Sequence, residues 1–132
     1  MALRKGCGQM VAEASARIET LSVEAAAANL GNPGVVFVDI RDVREVEREG
    51  MIPGAFLAPR GMLEFWVDPE SPYYKDVFGS GKRFILYCQS GWRSSLATAT
   101  LCDMGLAPVC HIDGGFSAWK KAGAPVQARE PR

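Results

Sequence analysis

The chain has 132 residues, and its 15 lysines and arginines balance 15 aspartates and glutamates, so the formal net charge is zero. This length suits one domain with one hydrophobic core, and the neutral balance excludes the basic footprint that nucleic acid or an anionic membrane surface requires. No apolar run is long enough to span a bilayer or to act as a secretory signal, so we expect a cytoplasmic protein with neither membrane nor nucleic-acid partners.

Short apolar or β-branched runs alternate along the chain with segments that carry helix-capping residues. In chain order we predict helix 8–17, strand 18–21, helix 22–30, strand 35–40, helix 43–49, strand 55–58, strand 84–87, helix 94–104, strand 109–112 and helix 116–121. Residues 59–82 are broken by prolines and glycines and predict an irregular excursion around a short helix. Strands that alternate with helices predict a three-layer α/β fold, with a mainly parallel sheet of about five strands flanked by helices.

Most of the chemistry lies in one polar segment between a predicted strand and the helix after it: Cys88-Gln89-Ser90-Gly91-Trp92-Arg93-Ser94. Ligand sites of parallel sheets lie beyond the carboxyl ends of the strands, which is where Cys88 falls. There the backbone N–H groups and the dipole of the following helix favour a thiolate and attract anions. Three further features of the segment favour anion binding: the hydroxyls of two serines, the conformational freedom of Gly91 and the charge of Arg93. We therefore predict that Cys88 is a nucleophile.

The chain has three further cysteines and a single histidine. Without a secretory signal, we predict that all of the cysteines stay reduced. Cys102 and Cys110 lie among apolar neighbours and predict core packing, and Cys7 is an incidental residue near a terminus. The cysteine spacings contain no CxxC pair, and His111 has no convincing set of further ligands, so we expect neither a metal nor a resident cofactor.

Four motifs follow one another along the chain. They are Asp39-Ile40-Arg41, Gly50-Met51-Ile52-Pro53-Gly54-Ala55, Cys88-x-x-Gly91-x-Arg93-Ser94 and Asp113-Gly114-Gly115-Phe116-x-x-Trp119-x-x-Ala122-Gly123-x-Pro125-Val126. Each motif is weak alone, but together they resemble the single-domain rhodaneses, the thiosulfate sulfurtransferases. The resemblance covers residues 18–126 and leaves an N-terminal extension, 1–17, and a C-terminal tail, 127–132. Met51 replaces the family's usual histidine, which we expect to remove only a surface polar group.

The resemblance implies that Cys88 attacks the outer, sulfane sulfur of thiosulfate or a related persulfide donor, releases sulfite and becomes a persulfide. A thiophilic acceptor then takes that sulfur; it is cyanide in an assay, and a small thiol or a protein in the cell. The N–H groups of residues 89–94 would hold the negative sulfur as an oxyanion hole holds oxygen. Arg93 would hold the sulfonate end of the donor.

Asp39 and Arg41 end a buried strand at the predicted active edge of the sheet. A buried carboxylate needs a partner, so Asp39 either caps the helix that follows or helps to shape the nucleophile's loop. Arg41 is placed to reach the anion pocket, whereas Arg60 and Glu64 follow the next strand and are weaker candidates for its rim. The charged run 44–49 predicts a solvated helix face.

Two other functions stay open. Cysteine-dependent phosphatases and arsenate reductases use a Cys-x5-Arg loop sized for a tetrahedral oxyanion, whereas four residues separate Cys88 from Arg93 and leave room for a single sulfur atom. The domain could instead carry a persulfide or bind a partner without turnover of its own. Trp92 fits either the wall of a substrate pocket or an anchor for a protein partner. Phe116 and Trp119 lie at helical spacing and predict core packing.

Overall fold

The computed structural model describes residues 2–129 and contains a five-stranded sheet whose neighbouring strands are parallel. The strands are β1 Glu19–Leu21, β2 Val35–Asp39, β3 Phe56–Leu57, β4 Arg83–Tyr87 and β5 Val109–Ile112. The α-helices are α1 Cys7–Ser15, α2 Val23–Ala27, α3 Val43–Glu49, α4 Leu63–Val67, α5 Trp92–Met104 and α6 Gly115–Lys121. The strand order across the sheet is β1-β5-β4-β2-β3. The predicted α/β fold with a parallel five-stranded sheet is confirmed.

Alternate residues of the central strands feed two hydrophobic cores, one on each face of the sheet. Val38 and Leu86 point into a core shared with α4 and α5, whereas Phe37 points into a core shared with α2 and α6. Phe116 and Trp119 of α6 are fully buried in the second core, so their predicted packing role is confirmed. Both faces of the sheet are therefore covered, as a parallel sheet of apolar strands requires.

Several helix boundaries differ from the prediction by one to three residues, and two of these differences have a clear local cause. α2 ends early because its last turn tightens into shorter bonds, such as the one from the Leu30 N–H to the Ala27 carbonyl (3.1 Å). α5 begins two residues early because Gly91 adopts a left-handed conformation, φ 105°, that turns the chain directly into the helix. α3 begins as predicted, with Asp42 accepting a hydrogen bond from the Arg44 N–H (2.8 Å).

Met51 is buried, so the prediction that it lies at the surface is wrong. Only 7% of the residue is exposed. Its backbone forms an isolated antiparallel bridge with Gln127, with both hydrogen bonds at 2.8 Å. The C-terminal segment thus covers Met51, and this contact joins residues that are far apart in the sequence.

The predicted N-terminal extension contains α1, which packs against α5. Arg17 fixes the end of this segment through two contacts with Asp103 of α5, at 2.7 Å and 3.0 Å. Met1 and residues 130–132 of the predicted tail lie outside the described residues. None of the helices within residues 2–129 has the length and apolar character that crossing a membrane requires.

Candidate active site

Cys88 directly follows β4 at the carboxyl edge of the sheet, and only 1% of it is exposed. Its Sγ accepts hydrogen bonds from the backbone N–H groups of Gly91 (3.1 Å) and Ser94 (3.4 Å). The Ser94 Oγ lies 3.5 Å from the same sulfur. The two N–H groups converge on Sγ from the loop and the first turn of α5, so the site can stabilise a sulfur anion.

The first turn of α6 holds the backbone of the loop in place. The Phe116 N–H donates to the Cys88 carbonyl (2.8 Å), and the Ser117 N–H donates to the Gln89 carbonyl (3.0 Å). Gly115 permits this close approach, because a Cβ at that position would lie 2.6 Å from the Cys88 carbonyl oxygen. These bonds hold the two carbonyls toward α6, while the N–H groups of Gly91 and Ser94 bond to the sulfur.

A buried ion pair supports the loop from the β2 side. Arg41 contacts Asp39 through Nη2 at 2.7 Å and through Nε at 3.0 Å, and both side chains are fully buried. The guanidinium also donates to the Gln89 side chain (3.0 Å) and the Gly50 carbonyl (2.8 Å). Burial disfavours the Arg41 cation, but the hydrogen bonds and charge of Asp39 outweigh it and raise the pKa of Arg41. Of the two roles predicted for Asp39, the geometry favours shaping the loop.

The side chain of Gln89 links the loop to two helices. Its amide nitrogen donates to Glu49 of α3 at 3.2 Å and to the Ser117 hydroxyl of α6 at 3.0 Å. Ser90 is exposed at the tip of the loop, whereas Gly91 is buried beneath it. Gln89 therefore braces the loop against α3 and α6, whereas the exposed Ser90 faces solvent.

Arg93 forms a two-point ion pair with Glu45 of α3, with distances of 2.8 Å and 2.9 Å. Hydrogen bonding by Arg93 lowers the pKa of Glu45, and the same bonds raise the pKa of Arg93. Because 41% of the Arg93 side chain is exposed, the guanidinium also faces solvent. The predicted solvated face of α3 is wrong for Glu45, whose side chain is only 21% exposed. No local pattern signals this contact, since its partners are 48 residues apart.

Trp92 is 53% exposed and leans toward α1, where its ring edge would lie 4.0 Å from a Cβ placed on Gly8. It borders a cleft of about 420 Å³ beside the loop, which Thr20 of β1 and Asp113 also line. An indole in this position can wall a pocket and can also meet a partner, so both predicted roles are compatible with its placement.

His111 lies beside the nucleophile's loop, a placement that no local sequence pattern predicts. Its Nδ1 lies 2.9 Å from the Ser94 Oγ, and its Nε2 lies 3.1 Å from the Thr20 Oγ1. Burial lowers the pKa of His111, against a smaller opposing effect of the Asp113 charge. A neutral imidazole is therefore bonded to the serine that touches the Cys88 sulfur. Only the pairing of β1 with β5 brings Thr20 beside His111.

The other cysteines lie elsewhere in the fold. Cys110 is buried in β5, where burial raises its pKa to about 11, and Cys102 is partly buried on α5. Cys7 is exposed at the start of α1.

Arg60 and Glu64 pair with each other at 2.7 Å, and Arg60 lines a different cleft, between α1 and α5. Within residues 2–129, no cluster of three His, Cys, Asp or Glu side chains is placed to hold a metal ion.

Comparisons with known proteins agree with this architecture. A family model described as rhodanese-like domain matches residues 22–122. A sulfurtransferase from Allochromatium vinosum is 36% identical over 96 residues, which are 73% of this chain and 81% of that protein.

Solved structures give the same fold. A Rhodopseudomonas palustris protein of unknown function, described as a possible tyrosine phosphatase, is 52% identical with a TM-score of 0.93, covering 96% of this chain and 98% of that one. A thiosulfate sulfurtransferase from Pseudomonas aeruginosa is 29% identical with a TM-score of 0.71, and the match covers 86% of this chain and 20% of that one. With more than half of its residues matched by the family model, the chain belongs to the rhodanese-like domain family.

Proposed function

We propose that this protein is a sulfurtransferase that moves a sulfane sulfur from thiosulfate, or a related persulfide donor, to a thiophilic acceptor through a Cys88 persulfide. The observation that carries the proposal is the Cys88 Sγ, which accepts two backbone N–H bonds at the carboxyl end of β4. Relatives that are named sulfurtransferases, from Allochromatium vinosum and Pseudomonas aeruginosa, support the same reaction class.

The reaction divides into two half-reactions at the same sulfur. In the first, the Cys88 thiolate attacks the outer sulfur of thiosulfate, the S–S bond of the donor breaks, and sulfite leaves with the bonding electron pair. In the second, the nucleophilic acceptor attacks the terminal sulfur of the persulfide, and the Cys88 thiolate is regenerated. The N–H groups of Gly91 and Ser94 already face the sulfur, so they can hold its negative charge in both states.

The anionic end of the donor needs a cation near the loop. The guanidinium of Arg93 has more N–H donors than its ion pair with Glu45 uses, and it is partly exposed. It can therefore contact the sulfonate while it stays bonded to α3. The acceptor in this proposal is a small thiol, cyanide in the assay, or a protein thiol, and the reduced nucleophile suits the cytoplasm.

A second candidate function, phosphate-ester hydrolysis, is raised by the Rhodopseudomonas palustris protein described as a possible tyrosine phosphatase. The loop of the present chain argues against it, since four residues rather than five separate Cys88 from Arg93. Arg93 is also bonded to Glu45 rather than folded over the loop. Sulfur transfer is therefore the function that this loop supports best.

Mass measurement of the intact protein tests the proposal directly. Treatment with thiosulfate should add one sulfur atom, and cyanide should remove it as thiocyanate. Cys88→Ser should abolish both changes, whereas Cys110→Ala should keep them, because Cys110 is a buried thiol outside the loop. A wild-type protein that takes up no sulfur, or a Cys88→Ser variant that still does, would contradict the proposal.

A further inference from the structure

A chain of hydrogen bonds leads from the buried Cys88 sulfur to the protein surface. The Cys88 Sγ lies 3.5 Å from the Ser94 Oγ, which lies 2.9 Å from His111 Nδ1. His111 Nε2 lies 3.1 Å from the Thr20 Oγ1. Cys88, Ser94 and His111 are all buried, whereas Thr20 is exposed at the cleft beside the loop.

Three different elements supply the members of this chain. Ser94 lies in the first turn of α5, His111 lies in β5, and Thr20 is its paired residue in the neighbouring strand β1. Paired residues of adjacent strands point to the same face of a sheet, so the register itself brings Thr20 to the imidazole. The Ser94 hydroxyl is also 3.4 Å from the Gly91 carbonyl, a longer contact than the 2.9 Å contact to His111.

We propose that Ser94, His111 and Thr20 form a relay that carries the Cys88 thiol proton to solvent and leaves the Ser94 hydroxyl as a hydrogen-bond donor to the sulfur anion. The relay rests on the proposed function only in that it takes Cys88 as the nucleophile. Ser94 touches the reacting sulfur, whereas His111 and Thr20 act through it and are positioning residues. A nucleophile that is 1% exposed needs such a route, since solvent has little direct access to its proton.

Each hydrogen moves one place along the relay when the thiol ionises. In the thiol state, Sγ–H donates to Ser94, the Ser94 O–H donates to Nδ1 of His111, and Nε2–H donates to Thr20. The S–H bond then breaks as a new Ser94 O–H bond forms, and the old Ser94 O–H bond breaks as Nδ1–H forms. Finally, Nε2–H passes its hydrogen to the Thr20 oxygen, which releases its own hydrogen to a water molecule in the cleft.

The balance of this step is one proton released, with no atom oxidised or reduced. His111 changes from the Nε2–H to the Nδ1–H tautomer, and each hydrogen bond of the relay reverses its direction. The final state has the Ser94 hydroxyl donating to the sulfur anion, beside the backbone N–H donors of Gly91 and Ser94 itself. The persulfide carries the same negative charge, so the relay keeps this direction until the sulfur leaves.

The relay needs a neutral imidazole, because only that form has one donor and one acceptor nitrogen. Burial lowers the pKa of His111 and so favours the neutral form. Among the titratable groups around it, Asp113 lies two residues further along the chain, in the turn after β5, and Cys88 faces it through Ser94. Glu19 of the neighbouring strand is bonded to Arg83 at 2.7 Å.

Nitrogen NMR can read the tautomer directly, since His111 is the only histidine in the sequence. Protein grown with ¹⁵N-histidine should show Nε2–H while Cys88 is a thiol. It should show Nδ1–H once the ultraviolet absorbance of the thiolate has appeared, and again in the persulfide. In Cys88→Ala the same pH change should leave the tautomer unaltered. One fixed tautomer in the thiol and thiolate forms of the wild-type protein would overturn the proposal.

A kinetic test uses Thr20→Val, which removes the exposed end of the relay but keeps the shape of the side chain. Thr100→Val is the matched control, because its hydroxyl bonds within α5 to the Leu96 carbonyl (3.0 Å). Alkylation of Cys88 by iodoacetamide near neutral pH should slow about fivefold in Thr20→Val, the effect of one lost hydrogen bond. The loss should disappear at alkaline pH, where the thiolate forms without help.

The same experiment on His111→Asn should give the same pH-dependent loss, since an asparagine can bond to Ser94 but cannot exchange tautomers. A purely structural role would slow alkylation equally at every pH or leave the profiles unchanged, and either result would overturn the relay. Alkylation needs no sulfur donor, so these outcomes are independent of the proposed function. A wild-type protein that forms a persulfide while both variants keep the wild-type alkylation profile would refute the relay alone.

Discussion

At the scale of single residues, the ion pair of Arg93 with Glu45 has two opposite effects on the binding of an anionic sulfur donor. The pair fixes the guanidinium beside the loop at 2.8 Å and 2.9 Å, but Glu45 also competes with any anionic donor for the same cation. Removing the arginine and removing the competing charge should therefore change donor capture in opposite directions.

We predict that Arg93→Ala slows persulfide formation from thiosulfate about tenfold, because a partly exposed charge-assisted contact is lost. Arg93→Lys should recover only part of the rate, since a lysine keeps the charge but not the planar geometry. Glu45→Gln should lower the thiosulfate concentration needed for half-maximal rate. Rapid-mixing measurements of the donor half-reaction check all of these variants. Wild-type kinetics in Arg93→Ala would leave the backbone N–H groups as the whole anion site.

At the scale of elements, the strands and the position of the nucleophile follow from short-range sequence signals. The β-branched run of β2 and the apolar run before Cys88 predict buried strands, and the parallel sheet then brings the cysteine to its carboxyl edge. The start of α5 is harder to predict, because it depends on the left-handed backbone of Gly91. Residue type shows that a glycine can adopt this conformation, but not that it does.

Contacts between distant elements are what the sequence could not predict. Glu45 and Arg93 meet across α3 and α5, Met51 is covered by Gln127, and His111 meets its partner only through the pairing of β1 with β5. Each contact depends on the packing of two elements against each other, which no local pattern encodes. The main features of the candidate site are therefore predictable, whereas the residues that brace and connect it are not.

The length of the loop is the feature that distinguishes sulfur transfer from phosphatase chemistry. With four residues between Cys88 and Arg93, the loop is one residue too short to enclose a tetrahedral phosphate. We therefore predict only background hydrolysis of p-nitrophenyl phosphate. A variant lengthened by one residue, to Cys-x5-Arg, is expected to hydrolyse it faster than the natural protein. The release of p-nitrophenol measures both proteins. Phosphatase turnover by the natural protein that Cys88→Ser abolishes would show that the loop admits phosphate after all.

At the scale of the whole molecule, the pH dependence of stability between about pH 5.5 and 7.5 depends on few groups, because carboxylates titrate below this range. The net charge is zero, so general repulsion between like charges is small near neutral pH. Hydrogen bonding by Arg93 lowers the pKa of Glu45. The ionised carboxylate therefore stabilises the fold at every pH above its ordinary pKa, and this contribution is lost only in acid, as the pH falls through the lowered pKa. Histidine is the side chain whose ordinary pKa, about 6.5, makes it titrate at mildly acidic pH, and the chain has one histidine.

We predict that the free energy of unfolding falls as the pH is lowered from about 7.5 to 5.5, and that His111 is the cause. Burial lowers the pKa of His111 in the folded state, so below its ordinary value of 6.5 the unfolded chain binds more protons than the folded one. The stabilising effect of the neutral imidazole is therefore complete above that value and is lost as the pH falls toward the folded-state pKa. Urea unfolding at a series of pH values should show this slope in the wild-type protein, whereas His111→Asn should be nearly flat over the same range. Equal slopes in the two proteins would mean that His111 titrates alike in the folded and unfolded states, and that the fold does not hold it neutral.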